Sequence, residues 1–167
     1  MKHVLATLIA LTVFADCAFA FDTEQQDLSY SVGIGIVHMM TPERRALIDS
    51  NALVLGFKTA IANAPPKYTP AQIDKFISTV LSPSDKSERS RILSSNKDLI
   101  GYWMGSNIGK AMIISKKTYD FNLLAQGMAD EFTNVPRAIS TQRLSQVLQN
   151  EAQKELQALD ALGVHKN

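Results

Sequence analysis

Residues whose side chains could do chemistry are few in this chain, and they do not converge. The sequence holds three histidines, His3, His38 and His165, and one cysteine, Cys17. A metal centre needs several donors brought together, and neither a His-x-x-x-His pair nor a histidine and carboxylate at ligand spacing occurs, so no metal is expected. No Ser/His/Asp set exists, and no glycine-rich phosphate loop follows a predicted strand, which leaves nucleophilic and nucleotide chemistry without a base. Catalytic residues and cofactors are accordingly expected to be none. Tyr30 and Tyr102 recur at matched places, but no histidine or paired carboxylate recurs with them. Their expected role is structural, with the ring packed and the hydroxyl in water.

Charge excludes two further classes of partner. Lys and Arg number 17 against 16 Asp and Glu, for a net charge of +1, and no acidic or basic block breaks the balance. Neither nucleic acid nor an anionic membrane is expected as the main partner. The mixed stretch Asp85-Lys86-Ser87-Glu88-Arg89-Ser90-Arg91 reads as a solvated helix surface.

Residues 1–20 have the form of a secretory signal peptide: Lys2, an apolar run from Val4 to Phe14, and Ala18-Phe19-Ala20 before a cleavage point at Phe21. The run is too short to span a bilayer, so no integral membrane segment is expected once it is removed. Asp16 ahead of Cys17 disfavours acylation of that cysteine. Without the leader the chain has no thiol, and packing must stabilise it in an oxidising compartment. The expected location is periplasmic or secreted.

The elements that must position any site are stated twice. Leu28 to Gly33 returns as Ile100 to Gly105 after 72 residues, while Asp49 to Ile61 and Pro65 to Ile77 return as Asp120 to Phe132 and Pro136 to Leu148 after 71. Self-similarity at a fixed spacing marks a repeated supersecondary unit. In each copy the first segment has a helical stripe, Leu28, Val32 and Ile36 in one and Ile100, Trp103, Met104 and Ile108 in the other. Asp49 and Asp120 cap short second helices. Thr69-Pro70-Ala71-Gln72 opens a third with a capping box and proline at its first position, lining Ile73, Phe76, Ile77 and Val80. Ser140 opens the last helix, whose expected buried side is Leu144, Val147, Leu148, Leu156, Leu159 and Leu162, with Gly163 as its stop. Thr41-Pro42 is expected to end the first helix. Another helix starts at Asp85 and leads past Asn96 into the second copy. No stretch alternates as a strand does. The expected fold is all-α: two repeated units of about three helices each, joined by a long or broken helix. Residues 21–81 and 96–167 form the units, and residues 82–95 the connection.

Gly101, Gly105 and Gly109 lie four residues apart and share one helix face. Such a face admits a close backbone, either that of the short helix in the same chain or that of another molecule.

Each copy resembles the domain that precedes the catalytic domain in FKBP-type peptidyl-prolyl isomerases of the macrophage infectivity potentiator kind. The likeness rests on Ser29-Tyr30-Ser31-Val32-Gly33 with Asp49, Leu53, Gly56, Phe57, Ala60 and Ile61 in copy one. In copy two it rests on Tyr102, Gly105, Gly109, Asp120, Leu124, Gly127, Met128, Asp130 and Phe132. Copy one departs from the pattern with Val37 where the second glycine belongs and a glycine at Gly35. Copy two has Gly101 in place of the motif serine. The resemblance implies a packing or dimerisation role for Tyr30, Gly33, Gly56, Tyr102, Gly105, Gly109 and Gly127. It also implies a homodimer, since family members pair through intertwined N-terminal helices, and a chaperone-like hold on protein clients, which several of them cradle between paired domains. Methionines such as Met39, Met40, Met104, Met112 and Met128 suit an adaptable client surface, although they fill cores as readily. The sequence has no strand-rich segment like the family's isomerase domain, so no catalytic residue is carried over. The expected function is therefore non-catalytic assistance to protein folding or assembly. The alternatives are an isomerase-related protein with residual or partner-supplied activity, and a secreted effector-like or envelope interaction module.

Overall fold

Eight helices account for all the regular structure of residues 21–115 and 117–161, the part of the chain that the computed structural model describes. The expected leader with His3 and Cys17, and Leu162, Gly163 and His165 at the other end, lie outside the described residues. The helices are α1 (Glu24–His38), α2 (Pro42–Ala46), α3 (Ser50–Ile61), α4 (Pro70–Leu81), α5 (Lys86–Ser95), α6 (Lys97–Ile114), α7 (Phe121–Thr133) and α8 (Thr141–Ala161). None of them is long and apolar enough to cross a membrane.

Local chemistry sets most of the boundaries. Thr23 and Thr69 each form a capping box, with Gln26 and Gln72 returning the bond. Asp49 Oδ1 accepts from Ala52 N at 2.8 Å, and Asp120 Oδ1 accepts from Asn122 N and Leu123 N. Ser140 Oγ accepts from Arg143 N at 3.1 Å. Asn63 and Asn134, 71 residues apart, follow α3 and α7 with φ of 48° and 53°, a left-handed turn that asparagine tolerates better than most residues. One departure from expectation is local. Thr41-Pro42 ends α1 but also opens α2, because threonine as cap and proline as first residue suit a helix start. Of the long or broken connecting helix expected, the broken form is found: at Asn96 the backbone turns to φ −124° and ψ 29° with no side-chain cap, separating α5 from α6.

Packing exchanges partners between the two halves of the sequence. α1 lies against α7 and α3 against α6, while α7 also touches α3. The core fills that crossing: Val37, Leu53, Phe57, Leu124 and Met128 are fully buried, with Ile100, Met104, Ile108 and Met112 of α6 packed on them. Each such side chain contributes roughly 1.5–3 kcal/mol of transfer free energy. Trp103 shares the expected stripe but points away, 38% exposed.

Of the buried side expected for α8, Val147 is buried and Leu144 part-buried, but Leu148 is 36% exposed at the open edge of the groove on α1, and Leu156 and Leu159 are 53% and 39% exposed. The reason for the last two is length. At 21 residues against 15, α8 overruns α1, meeting its first turn where Lys154 Nζ lies 3.2 Å from Glu24. Beyond Lys154, among the described residues, Lys117 reaches Glu155, but Leu156 and Leu159 stay largely open.

Candidate functional site

The residues singled out in the sequence meet at the two helix crossings. A methyl group on Gly33 would strike the Leu124 carbonyl, and one on Gly105 would strike the Leu53 carbonyl. Conversely, Gly56 lies under the Tyr102 carbonyl and Gly127 under that of Tyr30. The four contacts form two pairs related by the same 71- and 72-residue offsets, so α1 sits on α7 as α6 sits on α3. Gly101 and Gly109 extend the α6 face against Asp49 and Phe57. The glycine stripe thus packs inside the chain. In copy one Val37 closes the core where a glycine was expected, and Gly35 faces open space.

Tyr30 and Tyr102 are buried at 0% and 1% exposure, and their hydroxyls are not in water as expected. Tyr30 Oη donates to Asp130 Oδ2 at 2.8 Å and accepts from Ala138 N at 2.9 Å. Tyr102 Oη accepts from Lys67 N at 2.8 Å. Lys67 and Ala138 again stand 71 residues apart, so each tyrosine pins the loop that leads into the third helix of the opposite copy. The burial has a physical cause: those loop N–H groups need an acceptor, and the phenol supplies one from within the helix crossing. Burial pushes the Tyr30 hydroxyl up to about 12; the Ala138 N–H opposes that rise and the Asp130 carboxylate adds to it. The phenol stays protonated, an anchor rather than a base.

Two charge clusters were not legible in the sequence. Glu131 of α7 is 8% exposed, with Arg137 Nη2 at 2.8 Å, His38 Nδ1 at 3.1 Å and Arg45 Nη2 at 3.7 Å. Burial alone would raise its pKa, but the hydrogen bonds from Arg137 and His38 outweigh that and hold it below the usual value. His38, which looked isolated, is therefore paired with a carboxylate 93 residues away. Asp27 of α1, 1% exposed, accepts from Arg143 of α8 at 2.6 and 2.7 Å. An acid inside the Leu28 stripe was the available sign of a buried partner. Both clusters fasten helices together. Among the described residues no group of three or more His, Cys, Asp or Glu side chains could hold a metal.

Grooves lie beside the crossings, among them one of about 380 Å³ between the first turn of α1 and α8, bounded by Glu24, Leu28, Val147 and Lys154, and two more. One, of about 230 Å³, lies between α1 and α8, bounded by Ile34, His38, Arg137, Leu144 and Leu148. The other, of about 620 Å³, lies on α6 beside the end of α3, bounded by Thr59, Pro66, Tyr102, Ser106, Lys110 and Ile113. What these walls can do is hold an apolar side chain or helix. They bring together no nucleophile with a base. No protein-family model matches the chain, and comparison with curated proteins and with solved structures finds no match.

Proposed function

We propose that this is an exported, non-catalytic helical protein of the periplasm or extracellular space that assists folding or assembly by dimerising and by holding a protein client or partner. The observation that carries the reading is the exchange of α1 onto α7 and α6 onto α3 about matched glycine contacts. Intertwined helices are how the FKBP-type N-terminal domains pair, and here one chain makes such a contact internally. The tyrosine and glycine positions that gave the resemblance are the ones at the crossings. Exposed Met39, Leu156 and Leu159 supply apolar surface for a client, and methionine adapts to varied partners. The form of residues 1–20 supports export. The test is an aggregation assay with an unfolded client: the chain at stoichiometric amounts delays light scattering, and a proline-isomerisation assay shows no acceleration. A chain that never delays aggregation counts against the reading, as does one that speeds isomerisation.

A further inference from the structure

We propose that the cleft on α6 is a vacant helix seat, and that α4 of a second copy of this chain fills it, two copies exchanging the contact to close a symmetric dimer. The filled groove supplies the pattern. There Ile34, His38 and Arg137 line the wall on which Leu144 and Leu148 of α8 rest. Moving by the repeat offsets gives Ser106, Lys110 and Pro66, and these three line the α6 cleft. The same offset turns Leu144 and Leu148 into Ile73 and Ile77 of α4, and neither borders that cleft. The cleft, of about 620 Å³, is therefore not covered by the helix that corresponds to α8. Ser31 is fully buried, whereas its counterpart Trp103 is 38% exposed.

α4 is the helix left without a seat. It is capped as α8 is, and it carries Ile73, Phe76 and Ile77 at the positions of Leu144, Val147 and Leu148, yet no residue of α4 is buried. Val147 is 2% exposed, whereas its counterpart Phe76 is only part-buried, and Leu81 is 70% exposed. Within its own chain α4 folds against α5 and hardly touches α6, which leaves the cleft to be met from outside by a second copy's α4.

Charge complementarity favours the same occupant. In the filled groove Ser145 stands beside His38; the corresponding pair is Asp74 on α4 and Lys110 in the cleft, of opposite sign and both exposed. A reciprocal contact of this kind is self-complementary and closes at two subunits. Ile77, Leu81, Trp103, Ile113 and Ile114, all exposed, offer roughly 1,000 Å² across two copies, the lower edge of specific interfaces.

This surface deepens the dimerisation in the proposed function, but it stands on the geometry and not on client binding. Sedimentation equilibrium of the full chain is expected to give twice the monomer mass. Trp103, the one tryptophan, is expected to shift its emission to the blue as concentration rises. Ile77→Glu is expected to give a folded monomer, since that side chain is already partly in water. Asp74→Lys and Lys110→Asp each put like charges in both contacts and are expected to weaken the dimer about tenfold or more. Mixed in equal amounts they form a heterodimer in which both contacts regain opposite charges. A chain monomeric up to about 100 μM overturns the proposal, because even a micromolar Kd would show there. So does a dimer indifferent to Ile77→Glu and to the charge exchange, or a Trp103 that responds only to added client. Aggregation delay is scored separately, so a monomer that still protects its client rejects this surface and the dimerising part of the proposed function but leaves its client-holding part standing.

Discussion

Replacing Gly105 with alanine separates the close helix crossing from ordinary glycine effects. In an exposed helix the change gains roughly 1 kcal/mol, because alanine loses less backbone entropy than glycine. At Gly105 the new methyl meets the Leu53 carbonyl and, at 2.9 Å, the Phe57 nitrogen. Both atoms are helix backbone, so α3 and α6 must move apart over a core that includes Leu53 and Phe57. Overpacking of this kind costs about 1–3 kcal/mol, and rigid backbone on the receiving side places it at or above the upper end. The net expectation is a loss of about 2 kcal/mol, which lowers Tm by roughly 4–8 °C in a chain of this size. Gly33→Ala meets the Leu124 carbonyl and is expected to cost nearly the same. Gly35→Ala has nothing within 4 Å and should raise Tm by about 2–4 °C. Thermal unfolding followed by circular dichroism at 222 nm measures all three. The reasoning fails if Gly105→Ala melts at or above the parent, or if Gly35→Ala loses as much as the other two.

Tyr30 makes stability fall at alkaline pH. Its folded pKa of about 12 lies above the ordinary 10, so between those values the unfolded chain releases the proton first and the fold loses on the order of 2 kcal/mol as pH rises. Tyr30→Phe is expected to flatten that part of the curve while costing about 1–3 kcal/mol at neutral pH, since Ala138 N loses its acceptor. At the acid end, Glu131 contributes stability in full above its unfolded value of 4.5 and loses it as pH falls through its lower folded value; Glu131→Gln should reduce that acid dependence in urea titrations. Arg143→Met leaves Asp27 charged and buried, and should loosen α8 by roughly 3 kcal/mol, seen as faster amide exchange in α8 while the α3/α6 crossing keeps its protection. Leu156→Ser with Leu159→Ser should change unfolding free energy by less than about 0.5 kcal/mol each while weakening client protection, which separates binding surface from core.

Helix starts were the most legible feature because their causes are local. Thr23, Asp49, Thr69, Asp120 and Ser140 each act on a backbone N–H within three residues. α2 carried the signature of α4, threonine then proline, but at the end of α1 the proline was read only as a stop. Which helix meets which was not legible. An apolar stripe states that a face is buried without naming its partner, and matched glycines fit α3 on α6 as well as α3 on α1. The same limit hid the pairing of His38 with Glu131 and of Tyr30 with Asp130, at separations of 93 and 100 residues. The solvent-exposed end of α8 escaped for a related reason. Leu156 and Leu159 continue the periodicity of Val147, but periodicity does not record that α1 stops short of them.

When two separate chains pair by exchanging helices, the contact depends on concentration; joined through residues 82–96, the second crossing forms within one molecule at high effective concentration. Two matched crossings pinned by Tyr30 and Tyr102 are then kept at any dilution. The third helices do not share this symmetry. α8 lies along α1, where Arg143 reaches Asp27. α4 packs on α5 and stands away from α6, where Trp103 is 38% exposed. Symmetry is therefore kept in the core, at Gly33 and Gly105, and broken at the third helices, and it is this break that leaves α6 with the surface proposed to take another helix.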